Sequence, residues 1–412
     1  MRRTKGWTDE GGRRMTRIDI VGVGLGPATL TREASDSIAR AGLLVGSPRL
    51  IEEHAPGGRQ AVAASRPEDV VEAVRQSDAE HVAVLMSGDV GFHSGAAIVF
   101  ALLSDEDRFE ARLVAGVATP VLFAARLGIP WDDACLVSCH GTGTDLVAPV
   151  RRHRHTFALT GGNVPELART LADAGYGGLT VWAGEDLGLD GERVTQATVD
   201  GLPHRPWSSL TVLMIDNPGW DDRVRAGIPD DEFTRGDVPM TKQAIRAQAL
   251  SLLGLRPADV CYDIGCGTGS VSVEMALAAH AGHVWALDKN PDAIGLTQAN
   301  CRAFHVGNVT VAHGTAPEAL AGWPAPDVVF VGGTSGDMNR IVATVVDRNP
   351  AARIVITAIA VESASAAIRA LGTYGIEPEV TQVSVACGRA AGGLHLLMAQ
   401  NPVTIVSGGG HG

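Results

Sequence analysis

The chain has 412 residues, 45% of them hydrophobic, which exceeds one ordinary domain core and predicts two or three domains. Its formal net charge of −12 and its scattered basic residues argue against nucleic acid as a partner. Its apolar runs are strand-sized and fall short of the ~20 residues that a membrane-spanning helix needs, so we expect no membrane partner.

The first 16 residues carry five basic side chains but lack the apolar core of a secretory signal, and we interpret residues 1–16 as a disordered extension. Six cysteines without a Cys-x2-Cys pair indicate a reducing, cytoplasmic location. Cys135, Cys139 and His140 lack a fourth ligand nearby in the sequence, so we expect no metal site.

The first half, residues 17–217, alternates short apolar runs with helix-length stretches. This pattern predicts a mainly parallel sheet with crossover helices. The first group of predicted strands is Ile18 to Val23, Leu43 to Gly46, His81 to Met86, Arg112 to Val114 and Ala134 to Ser138. Further runs extend this half and suggest a second lobe: Thr156 to Leu159, Gly178 to Trp182 and Leu210 to Ile215.

Residues 218–239 are rich in proline, glycine and acidic residues and lack sustained periodicity, which indicates a connector. A new domain, residues 240–412, is expected to begin at a helix whose N-cap is Thr241. Its predicted strands are Val260 to Ile264, His283 to Asp288, Val309 to Ala312, Asp327 to Val331 and Arg353 to Ile359. Three last runs predict antiparallel strands that close a doubly wound sheet: Val380 to Ala386, Leu394 to Ala399 and Val403 to Val406.

The strongest local signal is the stretch Asp263-Ile264-Gly265-Cys266-Gly267-Thr268-Gly269, between a buried strand and a helical run. Glycines at such a turn let backbone approach a ligand, and the helix N-terminus favours an anion. A dinucleotide fingerprint would place its third glycine at position 270, which is Ser270. The spacing therefore favours the carboxylate of a methionine moiety over a pyrophosphate.

An acidic residue, Asp288, ends the next strand, where its carboxylate can accept hydrogen bonds from both hydroxyls of a ribose. The glycine loop and this acidic strand end together indicate S-adenosyl-L-methionine as the cofactor. A glycine-rich turn that binds nothing is the competing interpretation, and the second feature argues against it.

From residue 227 onward, an ordered series of motifs resembles the precorrin-6Y C15-methyltransferase and decarboxylase family of cobalamin synthesis. The motifs are Gly227 to Phe233, Met240 to Lys242, Asp263 to Gly269, Asp288 to Pro291, Gly314 to Leu320, Val331 to Gly333, Thr357 to Ile359 and Gly388-Arg389. The resemblance implies a Rossmann-like class I methyltransferase fold. It also implies cofactor contacts at Thr241, Gly265, Cys266, Gly267, Thr268, Gly269, Asp288 and Ala316.

The first half resembles the tetrapyrrole methylase family, in its C5-methylating corrin branch. The matching motifs are Val21 to Ala28, Val45 to Leu50, Ser87 to Phe92 and Ser138 to Gly141. Such enzymes are bilobal and bind their cofactor between the lobes, which implies that Gly24, Gly26, Pro27, Gly88 and Asp89 line the cleft. In and next to the third motif, Val90 and His93 depart from the proline and tyrosine expected there, which leaves the shape of that loop open.

Both halves in this order resemble fused C5,15-methylating, decarboxylating enzymes of the cobalamin (vitamin B12) pathway. The resemblance implies methylation of precorrin-6Y at C5 and C15 and decarboxylation of its ring C acetate, giving precorrin-8. Methyl transfer from a sulfonium can rely on positioning and exclusion of water, so the sequence assigns no catalytic side chain. A small tetrapyrrole is the expected partner, and we expect a homo-oligomer.

Substrate contacts are less well defined. Arg389 could hold a substrate carboxylate or have a structural role, and the basic cluster Arg151 to His155 could do so or form a solvated loop. Gly332 and Gly333, in a turn that continues through Thr334 and Ser335, could face a flat ligand or form a plain turn. Two alternatives remain for the whole chain: a class I methyltransferase for RNA or protein fused to an unrelated domain, or one catalytic half joined to a non-catalytic binding module.

Overall fold

The computed structural model describes residues 15–55, 57–140, 145–222, 226–333 and 336–409. These residues form three α/β units in chain order, each built on its own sheet, and a separate two-stranded ribbon near the C-terminus. Within these ranges, no helix combines the length and apolarity needed to cross a membrane.

The first lobe is a five-stranded, wholly parallel sheet in the order β3-β2-β4-β1-β5. Its elements are β1 (Thr16–Gly22), α1 (Arg32–Arg40), β2 (Leu43–Gly46), α2 (Pro48–His54), β3 (Ala61–Ala63), α3 (Pro67–Arg75), β4 (His81–Met86), α4 (Ala96–Ser104) and β5 (Phe109–Val114). Helices cover both faces, so the central strands are buried and read as continuous apolar runs in the sequence.

A carboxylate lies inside this sheet. Asp19 on β1 is fully buried and accepts hydrogen bonds from Ser37, at 2.6 Å, and from Arg112, at 2.6 and 3.1 Å. His81 Nε2 lies 2.9 Å from it and Arg17 Nε 3.2 Å. Burial alone would raise the pKa of Asp19, but these four partners outweigh it and hold the pKa well below its usual range. The carboxylate therefore ties β1 to both neighbouring strands and to α1.

The second lobe follows α5 (Thr119–Leu127) and has the strand order β6-β7-β10-β8-β9. Its elements are β6 (Cys135–Ser138), α6 (Val147–Arg152), β7 (His155–Leu159), α7 (Val164–Asp173), β8 (Thr180–Glu185), β9 (Arg193–Thr198) and β10 (Val212–Asp216). β6 and β7 are parallel, whereas β10 pairs antiparallel with β7 and β8, and β9 antiparallel with β8.

Two expectations for the first half were wrong. The run ending at Ser138 belongs to the second sheet rather than the first, and that second sheet is mostly antiparallel. The strands β3 and β9 were also missed. Both are edge strands with exposed or polar residues, so neither has the apolar run that marks a buried strand.

The connector is packed rather than free. Ile228 and Phe233 are buried in the C-terminal core, and the N–H groups of Gly227 and Ile228 donate to the buried carboxylate of Glu274, at 2.6 and 2.9 Å. Arg246, also fully buried, donates to Glu274 and to the Ile228 carbonyl. This buried ion pair fixes the end of the connector to the C-terminal domain.

The N-cap predicted at Thr241 is wrong by one residue. The N-cap of helix α8 (Gln243–Leu253) is Lys242, which makes no side-chain cap. The Gln243 N–H instead donates to Asp230 Oδ1, at 2.9 Å. A carboxylate from the connector thus satisfies one of the free N–H groups at the helix start, a long-range contact that local sequence cannot reveal.

The C-terminal domain has a seven-stranded sheet in the order β13-β12-β11-β14-β15-β19-β16. After α8 come β11 (Val260–Ile264), α9 (Ser270–Ala278), β12 (His283–Asp288), α10 (Pro291–Ala303), β13 (Val309–His313), β14 (Val328–Val331), α11 (Met338–Arg348), β15 (Arg353–Ala358), α12 (Val361–Thr373), β16 (Glu379–Val383), β17 (Ala386–Ala391), β18 (Leu394–Ala399) and β19 (Val403–Gly408). Strands β11 to β15 are parallel, and β19 runs antiparallel to β15 and β16. The expected doubly wound sheet closed by antiparallel strands is therefore present.

One of the closing strands lies elsewhere. β18 was expected in the sheet but pairs with β17, which the sequence did not predict, as a separate antiparallel ribbon. All residues of both strands are exposed, including Leu394, Leu396, Leu397 and Met398. The ribbon leaves the sheet where β16 ends and β19 begins, level with the carboxyl end of β15.

Candidate cofactor and substrate sites

The glycine loop of the C-terminal domain lies at the carboxyl ends of the parallel strands, between β11 and α9. Gly265 and Gly267 have φ values of 80° and 57°, in the left-handed region that favours glycine. A Cβ on Gly265 would lie 2.7 Å from the Gly333 nitrogen, and one on Gly267 would lie 2.5 Å from the Pro239 oxygen. The glycines therefore let two neighbouring backbone segments close in on the loop.

Two buried polar atoms at this loop have no hydrogen-bond partner within the described ranges: Asp263 Oδ1 and Thr268 Oγ1. The other carboxylate oxygen of Asp263 accepts a hydrogen bond from Ser272. Burial raises the pKa of Asp263 to about 7; the Ser272 hydroxyl opposes this shift and the nearby Asp288 charge adds to it. A cationic or N–H-bearing ligand group would satisfy both atoms, as the amino acid end of S-adenosylmethionine can.

Asp288 stands at the end of β12, next to the glycine loop. Its Oδ2 accepts from the Gly267 N–H at 2.9 Å, and its Oδ1 accepts from the Asn290 N–H at 2.9 Å. The carboxylate therefore shapes the loop, and each oxygen keeps a lone pair for a further donor such as a ribose hydroxyl. Ala316 lies just beyond, because the Gly314 N–H bonds the Asp288 carbonyl at 2.9 Å.

The other predicted cofactor residues of this domain have distinct surroundings. Thr241 follows the Pro239 carbonyl that abuts Gly267, so its segment borders the loop. Cys266 is buried, with its sulfur 3.4 Å from Thr297 Oγ1, and burial raises the pKa of its thiol. Its side chain is thus turned into the protein, and it can offer a ligand only its backbone.

The substrate candidates separate in the structure. Gly332 and Gly333 are exposed beside the loop: the Gly332 N–H bonds the Ile264 carbonyl at 2.9 Å, while Thr334 and Ser335 lie outside the described residues. Arg389 is exposed on the ribbon, opposite Leu396, at the same end of the sheet. The structure thus brings the two glycines to the cofactor loop and places Arg389 at the periphery.

The basic cluster takes a structural position. Arg151 and Arg152 end α6, and the half-buried Arg151 guanidinium donates to the Asp221 carbonyl at 2.9 Å. His153 Nδ1 lies 3.0 Å from the Pro149 carbonyl. The cluster therefore holds the start of the connector, and a role in gripping substrate is not supported by its contacts.

In the N-terminal half, the loops after β1 and β4 meet at the boundary between the lobes. Gly24 and Gly88 exchange backbone hydrogen bonds of 3.0 and 2.8 Å. Asp89 accepts from the N–H groups of Gly91, at 2.8 Å, and Gly116, at 2.9 Å. Asp89 thus joins the loops after β4 and β5, and its carboxylate faces backbone amides of both.

Gly26 brings the lobes into contact. Its φ is 151°, and a Cβ there would lie 2.0 Å from the Gly188 carbonyl oxygen of the second lobe. Pro27 follows at the exposed start of a 3₁₀ turn (Pro27–Thr29). Gly88 is buried, yet an added Cβ would meet nothing within 4 Å, so a space adjoins it. This space between tightly joined glycine loops fits a bound group.

Sequence reasoning missed two residues of these sites. Asp263 opens the glycine motif but was not assigned a role, because its complete burial and unpaired oxygen are properties of the fold. Gly116 touches the Gly88 carbonyl so closely that a Cβ would lie 2.1 Å away. Its position after a predicted strand, in Ala115-Gly116-Val117, was the available signal.

Two family models match successive parts of the chain. Residues 17–203 match the tetrapyrrole (corrin/porphyrin) methylases, and residues 231–408 match the precorrin methyltransferase domain.

A curated relative spans both parts. The precorrin-6Y C(5,15)-methyltransferase (decarboxylating) of a Sinorhizobium species is 31% identical over 357 residues, covering 83% of this chain and 84% of the relative. The chain belongs to this methyltransferase family. Its C-terminal part is also similar to the probable cobalt-precorrin-6B C(15)-methyltransferase (decarboxylating) of Pyrobaculum calidifontis, with 44% identity over 184 residues, which are 44% of this chain and 94% of the relative.

Among solved structures, the crystal structure of precorrin-6Y C5,15-methyltransferase from Geobacter metallireducens is 35% identical. The alignment covers 44% of this chain and 96% of that one, with a TM-score of 0.43.

Proposed function

We propose that this member of the family uses S-adenosyl-L-methionine to methylate precorrin-6Y at C5 and C15 and removes carbon dioxide from the ring C acetate, giving precorrin-8. The observation that carries the proposal is the likeness, across both halves, to a relative named for these three events. The N-terminal half would methylate C5, and the C-terminal half would methylate C15 and decarboxylate.

The residues present fit the cofactor. In the C-terminal cleft, the loop Gly265 to Gly269, Asp263, Thr268, Asp288 and Ala316 would hold it, and the unpaired atoms of Asp263 and Thr268 are the sites for its polar groups. In the N-terminal cleft, Gly24, Gly26, Pro27, Gly88 and Asp89 would line its site. Bound S-adenosylmethionine supplies an electrophilic methyl group.

The protein's part in the reaction is positioning. The clefts hold a ring carbon in line with the methyl donor and keep water away, which can supply most of the rate. In the decarboxylation carbon dioxide leaves, the electron pair of the broken carbon–carbon bond enters the conjugated ring, and the pair then forms a C–H bond with a proton from water at the remaining carbon. The chain therefore needs only to orient the acetate. Exposed backbone at Gly332 and Gly333 lets a flat macrocycle approach the loop.

The test is mass spectrometry of the purified protein with the reduced precorrin-6 intermediate and S-adenosylmethionine. We expect a gain of two methyl groups and a loss of carbon dioxide. Calorimetry with S-adenosylhomocysteine should give two sites per chain. An unchanged tetrapyrrole mass with cofactor bound, or methyl transfer to RNA instead, would contradict the proposal.

We also place the enzyme in the cytoplasm as a homo-oligomer. Its six cysteines are free thiols in the described structure, as a reducing compartment favours. The ribbon β17–β18 supports assembly, since Leu394, Leu396 and Met398 share one exposed face and an isolated two-stranded ribbon is marginally stable in water. An antiparallel edge can pair with its own copy about a two-fold axis.

The assembly is tested by light scattering on eluted protein. Leu396→Asp should yield monomers, whereas Leu210→Asp, which alters another exposed leucine away from the ribbon, should keep the wild-type mass. A monomeric wild-type protein would contradict this proposal and leave the chemistry untouched.

A further inference from the structure

The two halves of the molecule meet at a close-packed junction. The His305 ring stacks on the Tyr176 ring with centroids 4.5 Å apart, and His305 Nδ1 lies 2.8 Å from the Ala174 carbonyl oxygen. Gly307 packs against Val147, whose Cγ2 would be 2.9 Å from an added Cβ. The contacts join the C-terminal domain to α6 and to the turn after α7.

On the C-terminal side, the junction lies at the amino ends of the strands. His305 and Gly307 directly precede β13, and His283, whose surroundings include the Asp145 charge of the second lobe, begins β12. The glycine loop lies at the opposite, carboxyl ends of these parallel strands. A six-residue strand spans about 20 Å, so the C-terminal cleft opens away from the N-terminal half.

On the N-terminal side, the second lobe separates the junction from the cleft. His155, Asp216 and Thr180 are paired across the sheet of the second lobe and mark one of its ends. The chain that follows α7, which includes Tyr176, enters β8 at this end. The opposite end carries the turn after β8, where Gly188 contacts the Gly26 loop of the first lobe. The N-terminal cleft therefore lies at the end of the second lobe remote from the Tyr176 contact.

The described residues of the junction leave little space between them. The cavity between α6, α9 and the segment before β13 has a volume of about 10 Å³, which is room for one water molecule at most. This cavity is far too small for a tetrapyrrole.

From these positions we propose that the macrocycle is released to solvent between the two methylations, as a free once-methylated intermediate, and is then captured by the other cleft. This inference rests on the proposed function. The cofactor loops lie at opposite ends of the two sheets, separated by the depth of both, on the order of 30 Å, and the junction between them is closely packed. The junction fixes the domains relative to each other and does not guide substrate.

The test uses two full-length variants, each blocked in one cleft. Gly88→Asn places a side chain in the space beside Gly88, and asparagine tolerates its φ of 70°. Gly333→Leu places one at the C-terminal loop, where an added Cβ meets nothing within 4 Å. Each variant should keep the wild-type circular dichroism spectrum and methylate at no more than one position.

The variants are purified separately and mixed at twice the wild-type chain concentration, so that each type of working cleft is present at the wild-type level. We expect the mixture to form the doubly methylated, decarboxylated product on the same time course as the wild type. The wild type should also release once-methylated compound into an ultrafiltrate before product appears.

The proposal is overturned if the wild type forms product without a lag and without free intermediate, while the mixture forms none. Failure of the proposed function is a different result, because in that case neither the wild type nor either variant transfers a methyl group to the tetrapyrrole. If at least one of the two variants methylates the tetrapyrrole on its own, the proposed function holds, and a failure of the mixture counts against the release of the intermediate.

Discussion

Two buried carboxylates, Asp19 and Asp263, occupy comparable places in the two halves of the molecule. Each lies on the first strand of its sheet in chain order, between two parallel neighbouring strands, with no exposed surface. Asp19 has hydrogen-bonding partners on β1, α1, β4 and β5, and its pKa is held below the usual range despite burial. Asp263 has one hydroxyl partner, and burial raises its pKa to about 7.

The difference in hydrogen-bond pairing distinguishes a structural carboxylate from a ligand-binding one. Asp19 is fully paired, so its charge stabilises the sheet that holds it. Asp263 keeps one oxygen unpaired in the described structure, a costly arrangement for a buried group unless a ligand completes it. A buried acid with an unpaired oxygen at a glycine loop is therefore a better marker of the cofactor site than the glycines alone.

The largest effect is expected from breaking the paired carboxylate. Asp19→Asn should lower the free energy of unfolding by about 3 kcal/mol, since it leaves Arg112 and His81 without their anionic partner. Urea denaturation measures this. The control is Glu33→Gln, which removes the exposed partner of Arg112 and should cost less than about 1 kcal/mol. Equal losses of unfolding free energy in Asp19→Asn and Glu33→Gln would contradict a structural role for Asp19.

The same exchange at the unpaired carboxylate should weaken cofactor binding without destabilising the fold. Asp263→Asn should weaken S-adenosylhomocysteine at the C-terminal site about 10- to 100-fold, because it removes a charge-assisted hydrogen bond. Calorimetry should show one weakened and one unchanged site per chain. Asp347→Asn, on the exposed face of α11, is the matched control. Two unchanged sites would exclude Asp263 from the cofactor contacts.

Binding to the C-terminal site should depend on pH. Because the pKa of Asp263 is about 7 without ligand, affinity for S-adenosylhomocysteine should rise about tenfold from pH 6 to pH 8 as the carboxylate becomes charged. Asp263→Asn should flatten this profile. A flat profile in the wild-type protein would contradict the raised pKa.

The two carboxylates should change stability in opposite directions with pH. The contribution of Asp19, whose folded pKa is lowered, is present above the unfolded value of 3.8 and lost as pH falls. That of Asp263, whose folded pKa is raised, is present below 3.8 and lost as pH rises through about 7. Asp263→Asn should therefore gain stability relative to wild type between pH 5 and pH 8, measured by urea denaturation at each pH.

The smallest effect should come from the unpaired hydroxyl. Thr268→Val should weaken S-adenosylhomocysteine at the C-terminal site about fivefold, the value of one neutral hydrogen bond, and leave stability unchanged. Thr156→Val removes another buried hydroxyl without a partner in the described structure, on β7 of the second lobe, and should leave binding unaltered. If Thr268→Val and Thr156→Val weakened binding to a similar degree, the cause would be altered packing and not the loss of a hydrogen bond to the cofactor.

Much of the fold follows from local sequence because the central parallel strands are buried on both faces. β2, β4, β11 and β12 are mostly apolar runs and were predicted with their observed bounds. The strands that were missed, β3, β9 and β17, lie at edges or in solvent, where pairing depends on distant partners. Which sheet β6 and β18 belong to also depends on the strands they pair with, and the local sequence pattern does not show this.

The site was predictable to a similar degree. Spacing placed the glycine loop and Asp288 side by side, and the structure brings them together through the Gly267 N–H. The sequence cannot show that Asp263 is short of partners or that Cys266 turns inward, since both depend on residues that pack from other elements. The cofactor contacts of both clefts remain predictions, which the calorimetry above would test.

The buried pair formed by Arg246 and Glu274 also determines where the C-terminal domain can be cut from the chain. A fragment starting at Met240 would lose Ile228 and Phe233 from its core and leave the Glu274 carboxylate without its two backbone donors. Such a fragment would expose apolar surface and aggregate, whereas one that starts ahead of Gly227 retains a complete interior. If the two activities were encoded by separate genes, the C-terminal protein would therefore have to begin ahead of Gly227.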